Sequence, residues 1–268
     1  MKIGIIGMGK MGEAIVMGIT RTGRTAKSLL QGTTHTKESA GQSARALKIK
    51  CHTDNAKLAA TSDVIILCVK PHQAETVMSE IAPHLKKKHL LLSICASITT
   101  EQLKEWSTGE LPKIVRAMPN TPCLIGEGMT VLSAGQGVSP KDLKIAEEIF
   151  MPLGKTTVVN ESLLDGVTGL SGCGPAYIYL IIEALSEAGV KVGLSRETST
   201  LLAAQTMLGS AKMVLERGVH PAALKDEVTT PAGCTIDGLM ALEEGKLRVT
   251  LIKAVLAAAN RSVTLREK

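Results

Sequence analysis

Gly7-Met8-Gly9-Lys10-Met11-Gly12 spells G-x-G-x-x-G between a short apolar run at 2–6 and the helically spaced Ala14, Ile15, Gly18 and Ile19. A strand that turns on glycines straight into a helix aims backbone N–H groups and the helix start at one point. The missing side chains let a pyrophosphate come close to that point. By themselves such glycines make only a tight turn; the flanking strand and helix turn them into a dinucleotide fingerprint. Apolar patterning then places further strands at 28–31, 63–69, 90–94 and 113–118, the second a continuous Asp-Val-Ile-Ile-Leu-Cys-Val run of the buried parallel kind. Helices are predicted at 12–21, 37–47, 73–85 and 99–106, the last opened by hydroxyl caps. This alternation predicts an α/β fold, an N-terminal Rossmann-like doubly wound sheet spanning residues 1–159.

From about residue 160 the strand signal stops, and residues 160–268 read as an all-α C-terminal domain with helices at 177–189, 196–217, 235–244 and 247–264. If continuous, 196–217 is about 33 Å long, more than so small a domain can cover, which predicts a partner subunit packed against it. A kink or break near Gly209 is the alternative.

Of 268 residues only one Phe, one Trp and two Tyr are aromatic while 44% are hydrophobic, so the core must be aliphatic. Four aromatics cannot line a stacking groove, and the 31 basic residues, set against 25 acidic ones, are scattered. A nucleic-acid partner is therefore not expected, and the net charge of +6 suits a nucleotide cofactor instead. The six cysteines form no C-x-x-C pair or Cys/His cluster, so neither a disulfide framework nor a metal site is predicted. No apolar run approaches the roughly 20 residues of a membrane-spanning helix, and the start lacks a signal-peptide layout. A cytoplasmic chain with no membrane partner is the expectation.

An NAD-specific site places an acidic residue about 20 residues beyond the fingerprint. Gln31-Gly32-Thr33-Thr34-His35-Thr36-Lys37 stands there instead, a set that receives a ribose phosphate without repulsion and favours NADPH, with NADH as a second donor. Read more plainly, the segment is a polar turn. Two later stretches resemble ligand loops. Gly169 to Tyr177 reads Gly-Leu-Ser-Gly-Cys-Gly-Pro-Ala-Tyr, and Thr229-Thr230-Pro231-Ala232-Gly233-Cys234-Thr235-Ile236 enters a helix with hydroxyls and free N–H groups fit for a small carboxylate. Both equally suit helix caps.

With Val69-Lys70-Pro71-His72 and Arg116-Ala117-Met118-Pro119-Asn120-Thr121-Pro122, these loops occur in an order and spacing that resembles the pyrroline-5-carboxylate reductase family nearly end to end. The resemblance implies reduction of a cyclic imine carboxylate to proline with NAD(P)H, the last step of proline biosynthesis. It also implies a C-terminal domain that carries both dimerisation and substrate binding, in a homodimer that in many members assembles further into decamers. Carried over residue by residue, Ile6, Gly7, Met8, Gly9, Lys10 and Met11 hold the pyrophosphate, and Thr33 and His35 the adenosine ribose end. Asn55, Val69 and Lys70 line the adenosine side; Ala96, with Asn120 as a lesser candidate, lies by the nicotinamide. The substrate carboxylate meets Thr230, Cys234 and Thr235, the Thr235 hydroxyl reaches the imine nitrogen as the catalytic contact, and Glu161 and Glu227 fall at contact positions.

Cys173, Ala232 and Cys234 depart from the commonest family pattern of Ser, Gly and a small residue. Ala232 matters if its backbone needs positive φ. The departures keep two alternatives in view, a diverged paralogue acting on another cyclic imine and a non-catalytic NADPH-binding regulator. A hydroxyacid dehydrogenase of similar plan needs a helical lysine as acid/base, and none follows Gly174 in Pro175-Ala176-Tyr177-Ile178-Tyr179-Leu180.

Overall fold

The computed structural model describes residues 1–23 and 25–266. They fall into two compact units, one formed by residues 1–173 with those from 257 onward and the other by 174–256. This division lies 14 residues later than a boundary at 159/160 and returns the chain's last turns to the first unit.

The first unit runs β1 (Ile3–Ile6), α1 (Lys10–Arg21), β2 (Leu30–Thr33), α2 (Lys37–Leu47), β3 (Lys50–His52), α3 (Asn55–Thr61), β4 (Val64–Leu67) and α4 (Pro71–Ile81). It continues through β5 (Leu90–Ser93), α5 (Thr100–Glu105), β6 (Lys113–Met118), β7 (Gly128–Ala134), α6 (Pro140–Phe150), β8 (Gly154–Val158) and the short α7 (Leu164–Val167). One eight-stranded sheet results, ordered β3-β2-β1-β4-β5-β6-β7-β8. Its neighbours pair in parallel except β6 with β7, which run antiparallel.

Strand periodicity sorts the core onto two faces. Ile5, Ile66, Leu92 and Val115 stand in register across β1, β4, β5 and β6, all fully buried, and join the cluster that contains Phe150, the chain's one phenylalanine. On the opposite face Ile65, Leu91 and Ile114 align in a second cluster with Leu58, Met78 and Leu103. Every residue of β4 and β5 is buried, as a parallel strand covered on both sides requires.

Several boundaries differ from the sequence reading. The second strand is Leu30–Thr33, because Lys27–Leu29 closes a 3-10 turn where a strand was expected at 28–31. Helix α1 starts two residues earlier than 12, directly behind the glycine turn. The helix expected over 73–85 is α4 followed by a 3-10 turn at Ala82–His84, since Pro83 cannot continue an α ladder. Elements β3, α3, β7, α6, β8 and α7 fall outside the spans expected from the sequence.

The second unit holds α8 (Gly174–Lys191), α9 (Arg196–Arg217), α10 (Pro221–Glu227), α11 (Cys234–Glu244) and the first half of α12 (Leu247–Arg266). Ser195 caps α9 by accepting from the Thr198 N–H, Gly218 ends it in the left-handed conformation, and the helix runs through Gly209 without a break. Helices α8 and α9 meet along small residues. Ser186 and Thr200 hydroxyls lie 2.8 Å apart, and a Cβ on Gly189 would come within 2.7 Å of Ser199 Cβ. Among the described residues no helix is long and apolar enough to cross a membrane.

Candidate active site

The glycines of the first turn do separate jobs. Gly7 takes φ +95°, and a Cβ there would meet the Cys68 carbonyl at 2.9 Å; a Cβ on Gly12 would strike the Gly7 carbonyl at 2.6 Å. Gly9 has nothing within 4 Å of its would-be Cβ, so it faces open space. The turn is tied to β2 where the Gly7 and Met8 N–H groups donate to the Thr33 carbonyl. Gly9 is the N-cap of α1 and offers no side-chain cap, leaving the first-turn N–H groups for a ligand.

Beside this turn opens a cleft of about 430 Å³. It gathers Ile6, Gly7, Met8, Gly9, Thr33, His35, Asn55, Val69 and Lys70, nine of the twelve residues expected at the cofactor. Lys10 and Met11 form the first turn of α1 and are not among the cleft's lining residues. Ala96 lies apart from the cleft, against the cluster of Met118, Val131 and Leu164. The cleft also holds residues that sequence reasoning missed, among them Ser39, Thr53, Gln73 and Glu80. A signal existed for two of them: Gln73, Val77 and Glu80 are spaced i, i+4, i+7 behind the Lys70-Pro71 helix start and share a face of α4.

The glycine cradle, the free helix start and the absence of an acidic residue at the end of β2 fit a phosphorylated dinucleotide. Cys68 lines the same cleft and Cys95 follows β5; burial pushes the Cys68 thiol well up and that of Cys95 to about 11, so both are held as unreactive thiols. No group of His, Cys, Asp and Glu suited to a metal ion occurs among the described residues.

The remaining expected contacts divide between the units. Glu161, in the first, is committed: its Oε1 accepts from the Thr100 N–H at 2.7 Å and from Arg116 at 3.0 Å, and its Oε2 from the Thr100 hydroxyl. Burial raises its carboxyl, but those donors outweigh it and hold the group below the usual carboxylate range. Asn120 accepts from the Met129 N–H and donates to Ser171, bracing one loop on another.

In the second unit Thr230, Cys234 and Thr235 cluster at the start of α11. The Gly233 N–H returns to the Thr230 carbonyl, Gly233 is an N-cap without a side-chain cap, and Cys234 is exposed. Ala232 takes φ +57°, the left-handed conformation that glycine adopts without strain. Glu227 forms a two-pronged ion pair with Arg217 through both carboxylate oxygens, which lowers its pKa.

The fold and cleft define a Rossmann-type dinucleotide-binding unit joined to a helical domain. The helical part matches the model for pyrroline-5-carboxylate reductase dimerisation over residues 161–265, and residues 2–97 match the model described as NADP oxidoreductase coenzyme F420-dependent. A curated pyrroline-5-carboxylate reductase of Arabidopsis thaliana is 41% identical over 97% of this chain and 94% of its own length. Solved structures agree. The Plasmodium falciparum pyrroline carboxylate reductase with NADP bound superimposes with TM-score 0.88 at 38% identity, covering 99% of this chain and 98% of that one. The Coxiella burnetii pyrroline-5-carboxylate reductase gives 0.92 at 37%, covering 98% of each. The chain belongs to the pyrroline-5-carboxylate reductase family.

Proposed function

We propose that this protein reduces 1-pyrroline-5-carboxylate to L-proline, with NADPH as the preferred donor and NADH as a usable one. The observation that carries the reading is a pair of helix starts left without side-chain caps, one at Gly9, which faces open space, and one at Gly233, which packs on Thr230. The first suits a pyrophosphate, the second a small carboxylate. Likeness to family members over nearly the whole chain supports assigning the two anions to cofactor and substrate.

When bound, the reduced nicotinamide supplies the hydride that the imine carbon accepts. The cofactor is held by Ile6, Gly7, Met8, Gly9, Lys10 and Met11 at the pyrophosphate, and by Thr33, His35, Asn55, Val69 and Lys70 at the adenosine end, with Ala96 on the nicotinamide side. Backbone N–H groups of Cys234 and Thr235, with the Thr230 hydroxyl, fix the substrate carboxylate, and Glu161 lies at a further contact position. The Thr235 hydroxyl hydrogen-bonds the imine nitrogen. A protonated imine brings its own proton, so the protein's work is positioning and electrostatic shaping rather than strong acid catalysis.

Functionally the chain divides at 159/160, a dinucleotide-binding part followed by a part for dimerisation and substrate. The active form is a homodimer through the helical domain, assembling further into decamers, in the cytoplasm and without nucleic-acid or membrane partners. Support for the dimer comes from the exposed apolar faces of α8, α9 and α12 and from the dimerisation model that matches there.

Purified protein mixed with pyrroline-5-carboxylate and NADPH, then NADH, should oxidise the cofactor in step with proline formed. Thr235→Ala should lower kcat/KM at least about tenfold, the scale of one lost hydrogen bond, while NADPH still binds. Cofactor binding without turnover of any cyclic imine would favour a regulatory paralogue, and an unchanged kcat/KM would remove Thr235 from the mechanism.

A further inference from the structure

Three cleft residues form a hydrogen-bonded chain whose direction is fixed at one end. Thr33 is the last residue of β2 and 1% exposed, and its Oγ1 lies 2.6 Å from Asn55 Oδ1. Asn55 opens α3 and its Nδ2 donates to Glu80 Oε2 at 2.9 Å. Glu80 projects from α4 at the mouth of the same cleft.

A carboxylate only accepts, so the amide edge that faces Glu80 must be the NH₂. Asn55 then turns its carbonyl oxygen to Thr33, and the Thr33 hydroxyl has to donate inward. Its lone pairs are what remain for a ligand. The end of the second strand of a Rossmann unit is where the adenosine ribose is met. At that point the chain offers an acceptor from Thr33, a partner for a ribose hydroxyl but not for a phosphate oxygen, which also only accepts.

We propose that Glu80 is a specificity-determining residue: through Asn55 it sets the hydrogen-bond polarity of Thr33 and so favours a free ribose hydroxyl over a phosphorylated one. It opposes the preference that the polar segment around His35 and Lys37 gives NADPH, and keeps NADH within reach. Glu80 acts through Asn55 and is a positioning residue. The proposal rests on the cofactor site assigned above.

The test is direct titration of NADPH and NADH onto the full-length protein, independent of turnover. Glu80→Gln can either accept from or donate to Asn55 and so frees the amide to flip; Glu80→Ala removes the anchor. Each should weaken NADH relative to NADPH by about tenfold, the scale of one misdirected hydrogen bond. In an Asn55→Ala background the same Glu80 changes should leave the ratio of the two dissociation constants unmoved. Because Glu80 is exposed, circular dichroism should show both variants folded.

A ratio unchanged by Glu80→Gln and Glu80→Ala would overturn the proposal, as would the same shift in the Asn55→Ala background, which would assign the effect to charge acting through space. Wild-type protein that binds neither dinucleotide would overturn the reductase reading and this proposal with it. Binding and turnover with an unmoved ratio would overturn this proposal alone.

Discussion

Strands β4 and β5 bury all of their residues, whereas α9, with 22 residues, buries only Ser199 and Ala203. Its leucines lie outside: Leu201, Leu208 and Leu215 recur every seventh position at 67%, 45% and 63% exposure, a stripe along one side. A soluble monomer rarely exposes so continuous an apolar surface. The central strands of the sheet unit thus satisfy their hydrophobic residues within one chain, and the open apolar stripe of α9 suits the partner chain proposed above. If the proposed dimer covers that stripe, the stability of the helical unit should rise with protomer concentration while that of the sheet core should not.

The largest test of that contrast strikes the stripe. Leu208→Glu would place an unpaired carboxylate where the proposed interface excludes water, at a cost of several kcal/mol or more than about a hundredfold in association. Sedimentation should show monomers at concentrations where the wild type is dimeric, with turnover falling in parallel and NADPH binding to the sheet unit surviving. A variant that stays dimeric and active would place this face of α9 in solvent.

The converse change strikes the sheet unit alone. Gly12→Val sets a Cβ against the Gly7 carbonyl at 2.6 Å and Ile5 Cγ2 at 3.3 Å, overpacking that costs about 1–3 kcal/mol. If the displaced glycine turn bears that cost, NADPH affinity drops about ten- to hundredfold while the dimer is untouched. Normal affinity would mean that helix α1 can move without moving the turn.

The two regions also differ in how legible they were. Elements whose cause is local are legible: α2 has the bounds expected from the sequence, and the structure shows Thr36 capping it, while the fingerprint turn is legible because glycine alone permits its geometry. Edge strand β8, Gly-Lys-Thr-Thr-Val, is half exposed and lacks the apolar run that marked β4. Helix α6 did carry a signal, Ser139-Pro140 followed by Asp142 in a capping box ahead of Ile145, Ile149 and Phe150, and it was overlooked. In the site, the cleft residues beside the glycine turn are among those expected and Glu80 is not: its spacing from Gln73 and Val77 puts the three on one face of α4, but only the fold turns that face to the cleft. The helical spans were legible from their apolar content, but nothing local says which apolar face a partner covers.

A pH dependence should come from the sheet unit. His89 is 1% exposed, its Nδ1 accepts from the Lys86 N–H, and its Nε2 is buried without a partner. Burial lowers its pKa, Lys88 and Lys86 lower it further, and Asp63 and Glu110 only partly oppose them. The native state therefore resists a proton that the unfolded chain accepts near pH 6.5. Stability is unaffected above that pH and declines as pH falls through about 6.5 toward the lower native value. His52, lowered chiefly by burial, adds to the same slope. Urea unfolding followed by the fluorescence of Trp106, the one tryptophan, should show the midpoint falling between pH 7 and 5, and His89→Asn should flatten that fall. An unaltered slope would assign it to other groups.

The smallest effect concerns the loop before α11. An L-residue in the left-handed region costs about 1–2 kcal/mol, and Ala232 sits there at φ +57° with glycine on its C-terminal side. Ala232→Gly relieves that strain but gives the unfolded chain more freedom, worth about 0.4–1 kcal/mol in the other direction. The net gain should be within about 1 kcal/mol, seen as a slightly higher Tm. Because Thr230 lies in this loop and Cys234 and Thr235 open the helix it leads into, the same change tests whether its strain serves the proposed substrate site. A higher Tm with unchanged kcat/KM would mean that Ala232 is merely tolerated. A higher Tm with lower kcat/KM would mean that the methyl group holds the α11 N–H groups where the carboxylate needs them, and that the helical unit carries strain for its site as well as an open face for its partner.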